Sequence, residues 1–324
     1  MPSVSVVIPA YNEADSIRGV IERVRTTMAE AGIVCEVLVV VDGATDATAE
    51  EAAQVADRVI EHPLNLGYGR SLKSGIQAAT HDLIAITDAD GTYPVERLPE
   101  LIKLTDRHHM VVGARTGSFY AGSPAKQIGR SIFRFLCEFA VGQSIPDINS
   151  GMRVFRKSEI VPFFPTVSGG FSFTTTATLL YLLNDRFVLH VPIDYFQRTG
   201  TSKVRHVRDS LRALQIIVEA ILRYNPIKIF LLLAAPQAIL GLPLAGFGFL
   251  LAFAARTFTS WYHLTGMLGL AMFVVGAAAI LSSLLTMALG SVAVATMPQR
   301  RFAESGGLAI DLERRRPGFV PETT

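Results

Sequence analysis

The sequence predicts an α/β domain on a mostly parallel sheet, followed by a hairpin of two membrane-spanning helices. Three observations predict it. Short runs rich in valine and isoleucine alternate with helical patterns over residues 1 to about 115. Polar clusters stand at the carboxyl ends of those runs. Near the C-terminus, two stretches of 27 and 34 residues carry no charge at all.

The elements follow in order. Val4-Ser5-Val6-Val7-Ile8 reads as a strand directly after Met1-Pro2-Ser3, with no signal peptide ahead of it. Ile17, Val20, Ile21, Val24 and Met28 recur at helical spacing, with Asn12 or Asp15 available as caps. Cys35 to Val41 is apolar but too short for a helix. An alanine-rich helix is expected from about Asp46 to Ala56, a short strand at Arg58 to Glu61 and a helix over Gly67 to Ala79. Strands at Asp82 to Thr87 and Met110 to Ala114 flank a helix across Glu96 to Arg107. Unbroken apolar strands separated by helices mean a parallel sheet covered on both faces. Ligands of such sheets bind beyond the carboxyl ends of the strands. Pro9-Ala-Tyr11-Asn-Glu13, Asp42-Gly43 and Asp88-Ala-Asp90 all fall there.

The uncharged stretches are Ile229 to Ala255 and Leu264 to Met297. Each exceeds the roughly 20 residues that cross a bilayer as a helix. Arg205, Arg208, Arg212, Arg223 and Lys228 precede the hairpin, and Arg300, Arg301, Arg314, Arg315 and Arg316 follow it, whereas the turn between the spans holds Arg256. The positive-inside rule therefore puts both ends of the hairpin, and with them the α/β domain, on the cytoplasmic side of the membrane. The expected organisation is a domain over 1–204, a juxtamembrane helix over 205–228, spans at 229–255 and 264–297, and a tail over 298–324. Pro236 and Pro243 foreshadow kinks, and the glycines at 241, 246, 248, 266 and 269 allow close helix packing or a homo-oligomer.

Composition excludes several classes. A net charge of +2 argues against nucleic acid as a partner. Two cysteines, Cys35 and Cys137, make neither a disulfide framework nor a zinc site. There is no P-loop motif, and Gly67-Tyr-Gly69 lacks the third glycine of a dinucleotide fingerprint.

Asp88 and Asp90, two carboxylates one residue apart, repel each other, so either they sit in water at a loop tip or something else brings the positive charge. Hard oxygen ligands at a strand end suit Mg²⁺ or Mn²⁺, bound with help from substrate phosphates.

Val6-Val-Ile-Pro-Ala-Tyr-Asn-Glu13, Val40-Val-Asp-Gly-Ala-Thr-Asp46, Asn65-Leu-Gly-Tyr-Gly69, Asp88-Ala-Asp-Gly-Thr-Tyr-Pro94 and Asn149-Ser-Gly-Met-Arg153 stand in the order seen in family 2 glycosyltransferases. With Gly200-Thr-Ser-Lys203 and the hairpin, the chain resembles the polyprenyl-phosphate sugar synthases, the dolichol-phosphate mannose synthase and bacterial GtrB-like group. The resemblance implies a GT-A fold, a UDP- or GDP-sugar donor, a polyprenyl phosphate acceptor, a divalent cation and inversion at the anomeric carbon. By matching position it implies Pro9, Tyr11 and Glu13 at the base and ribose, and Asp42 beside the base. It implies Asp88 and Asp90 as donor and metal carboxylates, Asp90 the direct ligand, and Arg115 near the donor phosphates. Arg130 matches the basic residue that meets the lipid phosphate, and Arg198 and Lys203 match a basic loop over the site. Arg134 lies one turn beyond Arg130 and would join it in screening the acceptor.

The chain departs from that pattern at Val41, where many relatives carry a second Asp before Asp42, and at Thr92, where archaeal-type relatives carry Gln. Trp261, in the membrane turn, is the one Trp, so the Gln-x-x-Arg-Trp motif of processive synthases is missing, which argues against polymerisation. Residues 125 to 141 interleave Ile128, Ile132, Phe133, Phe135, Leu136 and Phe139 with Lys126, Arg130 and Arg134, an interfacial amphipathic pattern. The expected activity is transfer of one sugar to polyprenyl phosphate. The alternatives are transfer to another lipid or glycan acceptor, and a non-catalytic scaffold that binds nucleotide sugar.

Overall fold

The computed structural model describes residues 3–117, 124–170, 172–197, 227–255 and 262–296, with isolated helical positions between 215 and 222. Arg198, Lys203, most of the juxtamembrane segment, the turn at 256–261 and the tail lie outside the described residues. Contacts divide the chain into two units, one running to Ile217 and the other beginning at Val218.

The first unit alternates strand and helix: β1 (Ser3–Ala10), α1 (Ala14–Glu30), β2 (Val34–Asp42), α2 (Thr48–Ala53), β3 (Arg58–His62), α3 (Tyr68–Ala78), β4 (Leu83–Ile86), α4 (Leu98–Leu104) and β5 (Met110–Thr116). There follow α5 (Pro124–Val141), β6 (Arg153–Arg156), a single turn α6 (Lys157–Ile160), α7 (Phe173–Leu183) and β7 (Val188–Asp194). The seven strands lie in the order β3-β2-β1-β4-β6-β5-β7. All neighbours are parallel except around β6, which runs antiparallel to both β4 and β5.

β1 reads as continuous apolar sequence because both of its faces are covered. Val4, Val6 and Ile8 join Ile17, Val20, Ile21, Val24 and Met28 of α1 in one cluster, every one of them buried. Val7 meets α3 on the opposite face, where a Cβ on Gly75 would lie 2.4 Å from Val7 Cγ1. Glycine at 75 is the condition for that close helix–sheet approach. Burial of each such valine or isoleucine contributes about 1.5–3 kcal/mol.

Two helices are shorter than their periodicity implies. α2 covers Thr48–Ala53 because Asp46 stays outside it and accepts the Thr48 amide at 3.1 Å. α4 starts at Leu98 after a tight turn over Val95–Arg97, with Pro99 in its first turn.

The second unit holds α8 (Ile227–Ala255) and α9 (Tyr262–Thr296), each long and apolar enough to span a bilayer. In their most apolar windows 22% and 17% of the residues are buried, unlike the core helices of a soluble protein. Glycines set their contact. A Cβ on Gly248 would lie 2.4 Å from the Phe273 amide nitrogen, and one on Gly276 would lie 2.3 Å from that of Ala245. Ser283 donates its hydroxyl to the Ala234 carbonyl at 2.9 Å. Small residues let the backbones approach where lipid offers no hydrophobic drive. Gly276→Leu is therefore expected to part the helices and lower the thermal unfolding midpoint in detergent. Gly246→Leu, which meets nothing within 4 Å, should leave that midpoint unchanged.

Candidate active site

Topology gathers the site. β1, β2 and β4 all end at one edge, releasing Tyr11 to Glu13, Asp42-Gly43 and Asp88 to Asp90 there. Because β6 is reversed, its first residue, Arg153, pairs with Ile86 at the end of β4 and with Val112 in β5. The loop 147–152 therefore arrives at the same edge.

Asp90 is 6% exposed, and its Oδ1 accepts the Thr92 amide at 3.1 Å and the Thr92 hydroxyl at 2.7 Å. Thr92 thus braces Asp90 from inside the loop. Asp88 accepts the Tyr68 hydroxyl on Oδ1 at 2.9 Å. Its carboxylate lies against Gly151, where a Cβ would stand 2.8 Å from both oxygens. Gly151 in turn donates its amide to the Tyr93 hydroxyl at 2.7 Å.

Pro9 is buried within β1, and Tyr11 and Glu13 are half-buried just beyond it. Asn12 takes a left-handed conformation, φ 53°, and its Oδ1 accepts the Thr45 amide at 2.8 Å. The Glu13 amide donates to the Thr48 hydroxyl at 2.9 Å, so the first loop is tied to the second. Asp46 assists by accepting the Ala14 amide. Burial alone would raise the Asp46 carboxyl, but its hydrogen bonds from Thr48 and Ala14 hold it below the usual aspartate range.

Asp42, expected beside the base, has its carboxylate engaged within the fold. Oδ1 pairs with His62 Nδ1 at 2.8 Å and accepts the Leu66 amide at 3.0 Å, while Oδ2 accepts the Gly67 amide at 2.8 Å. His62 Nε2 meets the Ser74 hydroxyl at 3.0 Å. Asp42 therefore anchors the loop that leads into α3. Gly43 has φ 66°, and a Cβ there would strike the Leu64 carbonyl carbon at 2.4 Å, so no side chain fits.

Arg115, expected near donor phosphates, closes a bidentate pair with Asp147, Nε to Oδ2 at 2.7 Å and Nη2 to Oδ1 at 2.9 Å. The Arg115 amide donates to the same carboxylate at 3.1 Å, and the guanidinium lies over Tyr195 at 5.4 Å from the ring centroid. Burial would raise the Asp147 carboxyl, but the Arg115 hydrogen bonds and charge hold it below the ordinary range. Beside this pair is a cavity of about 240 Å³, lined by Arg115, Arg130, Phe133, Arg134, Asp147 and Asn149 among others. Arg130 and Arg134 of α5 are exposed, as are Ile132 and Phe135 of the same helix.

Sequence reasoning passed over Asp147, Tyr68 and Tyr93, although each stands in or beside a quoted motif. A carboxylate two residues ahead of Asn149-Ser-Gly was the available signal. Thr175 supports the loop that lines the cavity by donating its hydroxyl to Asn149 Oδ1 at 2.6 Å.

A mostly parallel sheet with carboxylate loops along one edge, followed by two apolar spans, defines a GT-A glycosyltransferase with a hairpin fit to cross a membrane. The model of the family described as "Glycosyl transferase family 2" matches residues 5–160. A dolichyl-phosphate hexose transferase of Haloferax volcanii is 32% identical over 205 residues, covering 62% of this chain and 86% of its own. An undecaprenyl-phosphate 4-deoxy-4-formamido-L-arabinose transferase of Salmonella typhimurium is 30% identical over 253 residues, covering 75% of this chain and 74% of its own. The chain belongs to glycosyl transferase family 2. Among solved structures, glucosyl-3-phosphoglycerate synthase from Mycobacterium tuberculosis, in complex with Mn²⁺, UDP and glucosyl-3-phosphoglycerate, superimposes with a TM-score of 0.53. At 20% identity, over 68% of this chain and 80% of that one, it shares the fold.

Proposed function

We propose that the protein transfers one sugar from a UDP- or GDP-sugar to polyprenyl phosphate, with inversion, at the cytoplasmic face of the inner membrane. One observation carries this reading beyond family membership. The arginine-lined cavity, built for an anion, shares the loop 147–151 with the carboxylate pair: Asp147 lines the cavity and Gly151 lies against Asp88. On this reading, donor and acceptor sites are adjacent. The two named relatives act on dolichyl and undecaprenyl phosphates, and the hairpin would hold the enzyme where such lipids are.

The residues fit a divalent cation. Asp88 and Asp90 offer hard carboxylate oxygens, and among the described residues no group of three or more His, Cys, Asp or Glu side chains converges. Such a pair suits Mg²⁺ or Mn²⁺, ions that take part of their shell from water and substrate phosphates. Bound there, the cation would neutralise the diphosphate as it leaves.

The chain's own residues do the rest. Pro9, Tyr11 and Glu13 face the nucleotide, with Asp42 shaping the loop beside it. Arg130 and Arg134 draw in the acceptor phosphate, assisted by Arg198 and Lys203. The phosphate oxygen attacks C1, the C1–O bond to the nucleoside diphosphate breaks, and its electron pair departs with the diphosphate. An ionised phosphate is already a nucleophile, so positioning and charge screening dominate over proton transfer.

The test uses detergent-purified full-length protein with Mg²⁺ or Mn²⁺, undecaprenyl phosphate and a panel of UDP- and GDP-sugars. Mass spectrometry should reveal lipid-linked monosaccharide from one donor, lost with chelator. Nucleotide binding without product from any donor would overturn the acceptor assignment.

A further inference from the structure

Asp88 and Asp90 are oriented by different devices. Asp90 is held by its own loop, through Thr92. Asp88 is held from outside, by residues that reach it from two other parts of the fold.

The first is Tyr68, the opening residue of α3, and the start of that helix is wedged in place. Asp42 accepts the Leu66 and Gly67 amides on one side. On the other, the Arg70 amide donates to the Gly169 carbonyl at 2.9 Å. A Cβ on Gly69 would stand 2.6 Å from the carbonyl oxygens of Ser168 and Gly170, so the backbones touch. Gly67, at φ 104°, makes the turn into the helix. Tyr68 therefore leaves the chain from a fixed point, and its hydroxyl donates to Asp88 Oδ1 at 2.9 Å.

The second is Gly151. Both Asp88 oxygens would lie 2.8 Å from a Cβ there, so the carboxylate rests flat on the glycine. Gly151 is pinned by Tyr93, and the Ser150 carbonyl beside it accepts the buried Arg153 guanidinium.

We infer that Tyr68 is a positioning residue of the donor site, its phenol and the bare Cα of Gly151 clamping Asp88 in the orientation that meets the nucleotide sugar. The inference rests on the donor-site reading given under Proposed function. The phenol touches no substrate in this account; it acts through Asp88. Its removal should weaken donor binding without altering the response to acceptor.

The experiment is calorimetry with UDP and with GDP on the full-length protein in detergent, at saturating and at limiting Mn²⁺, with wild type, Tyr68→Phe, Asp88→Ala and the double variant. Phenylalanine keeps the ring and deletes only the hydroxyl. Tyr68→Phe should weaken about tenfold the Mn²⁺-dependent binding of whichever nucleoside diphosphate the wild type takes, which is the scale of one lost hydrogen bond to a charged group. In the Asp88→Ala background the same change should have no effect, because the two act as a pair. KM for undecaprenyl phosphate should stay at the wild-type value. Equal losses in both backgrounds, or no loss in either, would overturn the inference and leave the donor site standing. Absence of Mn²⁺-dependent binding of both UDP and GDP in the wild type would overturn the donor-site reading, and this inference with it.

Discussion

Asp90→Ala should lower sugar transfer by about 10³-fold with the fold intact. The residue holds its carboxylate at the sheet edge, 6% exposed, with Oδ1 committed to Thr92. The proposed cation site, with two carboxylates and substrate phosphates around the ion, would lose half of its protein ligands with this change. Stabilisation of a leaving diphosphate is worth several kcal/mol, and each 1.4 kcal/mol or so is a factor of ten. Turnover of a lipid-linked sugar, followed by mass spectrometry over a Mn²⁺ titration, measures it. Thr92→Val should give a milder loss of about 10- to 100-fold, because it removes the brace and keeps the ligand. Wild-type rates in Asp90→Ala would move the metal site elsewhere.

Asp147→Ala should be the most destabilising single change in the site, by about 3–5 kcal/mol, because it strands a largely buried guanidinium. Side-chain exposures of 15% for Arg115 and 2% for Asp147 place the pair inside the fold. Three Arg115 donors, including its amide, would lose their acceptor at once. The pair also sets a pH dependence. The Asp147 carboxyl is held below its ordinary value of 3.8 in the folded chain. Its contribution is therefore complete above that value and is lost as pH falls through the folded one. Unfolding midpoints measured between pH 7 and pH 3 should fall for the wild type, with a smaller fall for Asp147→Asn. Equal slopes would remove Asp147 from the titration.

Much of this was legible in one sequence, for physical reasons. Unbroken Val and Ile runs mark strands buried on both faces, and the turns after them had to carry the chemistry. Uncharged length beyond 20 residues declares a span. What stayed hidden was pairing at a distance. Arg153-Val-Phe-Arg156 is four residues with an arginine at each end, a pattern that reads as loop, yet it is the antiparallel strand at the heart of the sheet. Arg153 is fully buried there, donating to the Ser150 and Thr174 carbonyls. The Arg115–Asp147 pair joins residues 32 apart in the chain, and no spacing rule connects them. Tyr68 sat in plain view within a recognised motif, but only its rotamer ties it to Asp88. Asp42 was visible as a strand-end carboxylate, while its inward hydrogen bonds were not.

The reversed strand also bears on how the chain comes off the ribosome. β1 to β4 can pair among themselves as soon as they emerge, because their partners are close in sequence and precede residue 87. β5 finds no such welcome: both of its neighbours, β6 and β7, are made later. Until Arg153 to Arg156 appear, the outer edge of β4 stands bare and β5 is an apolar strand without a sheet. Such intermediates are prone to stick to one another. Slower synthesis, or a chaperone that shields that edge, should raise the yield of native enzyme. Asp90, braced by its own loop, thus takes shape early in synthesis, while Asp88 and the arginine-lined cleft wait for the chain around a strand of four residues.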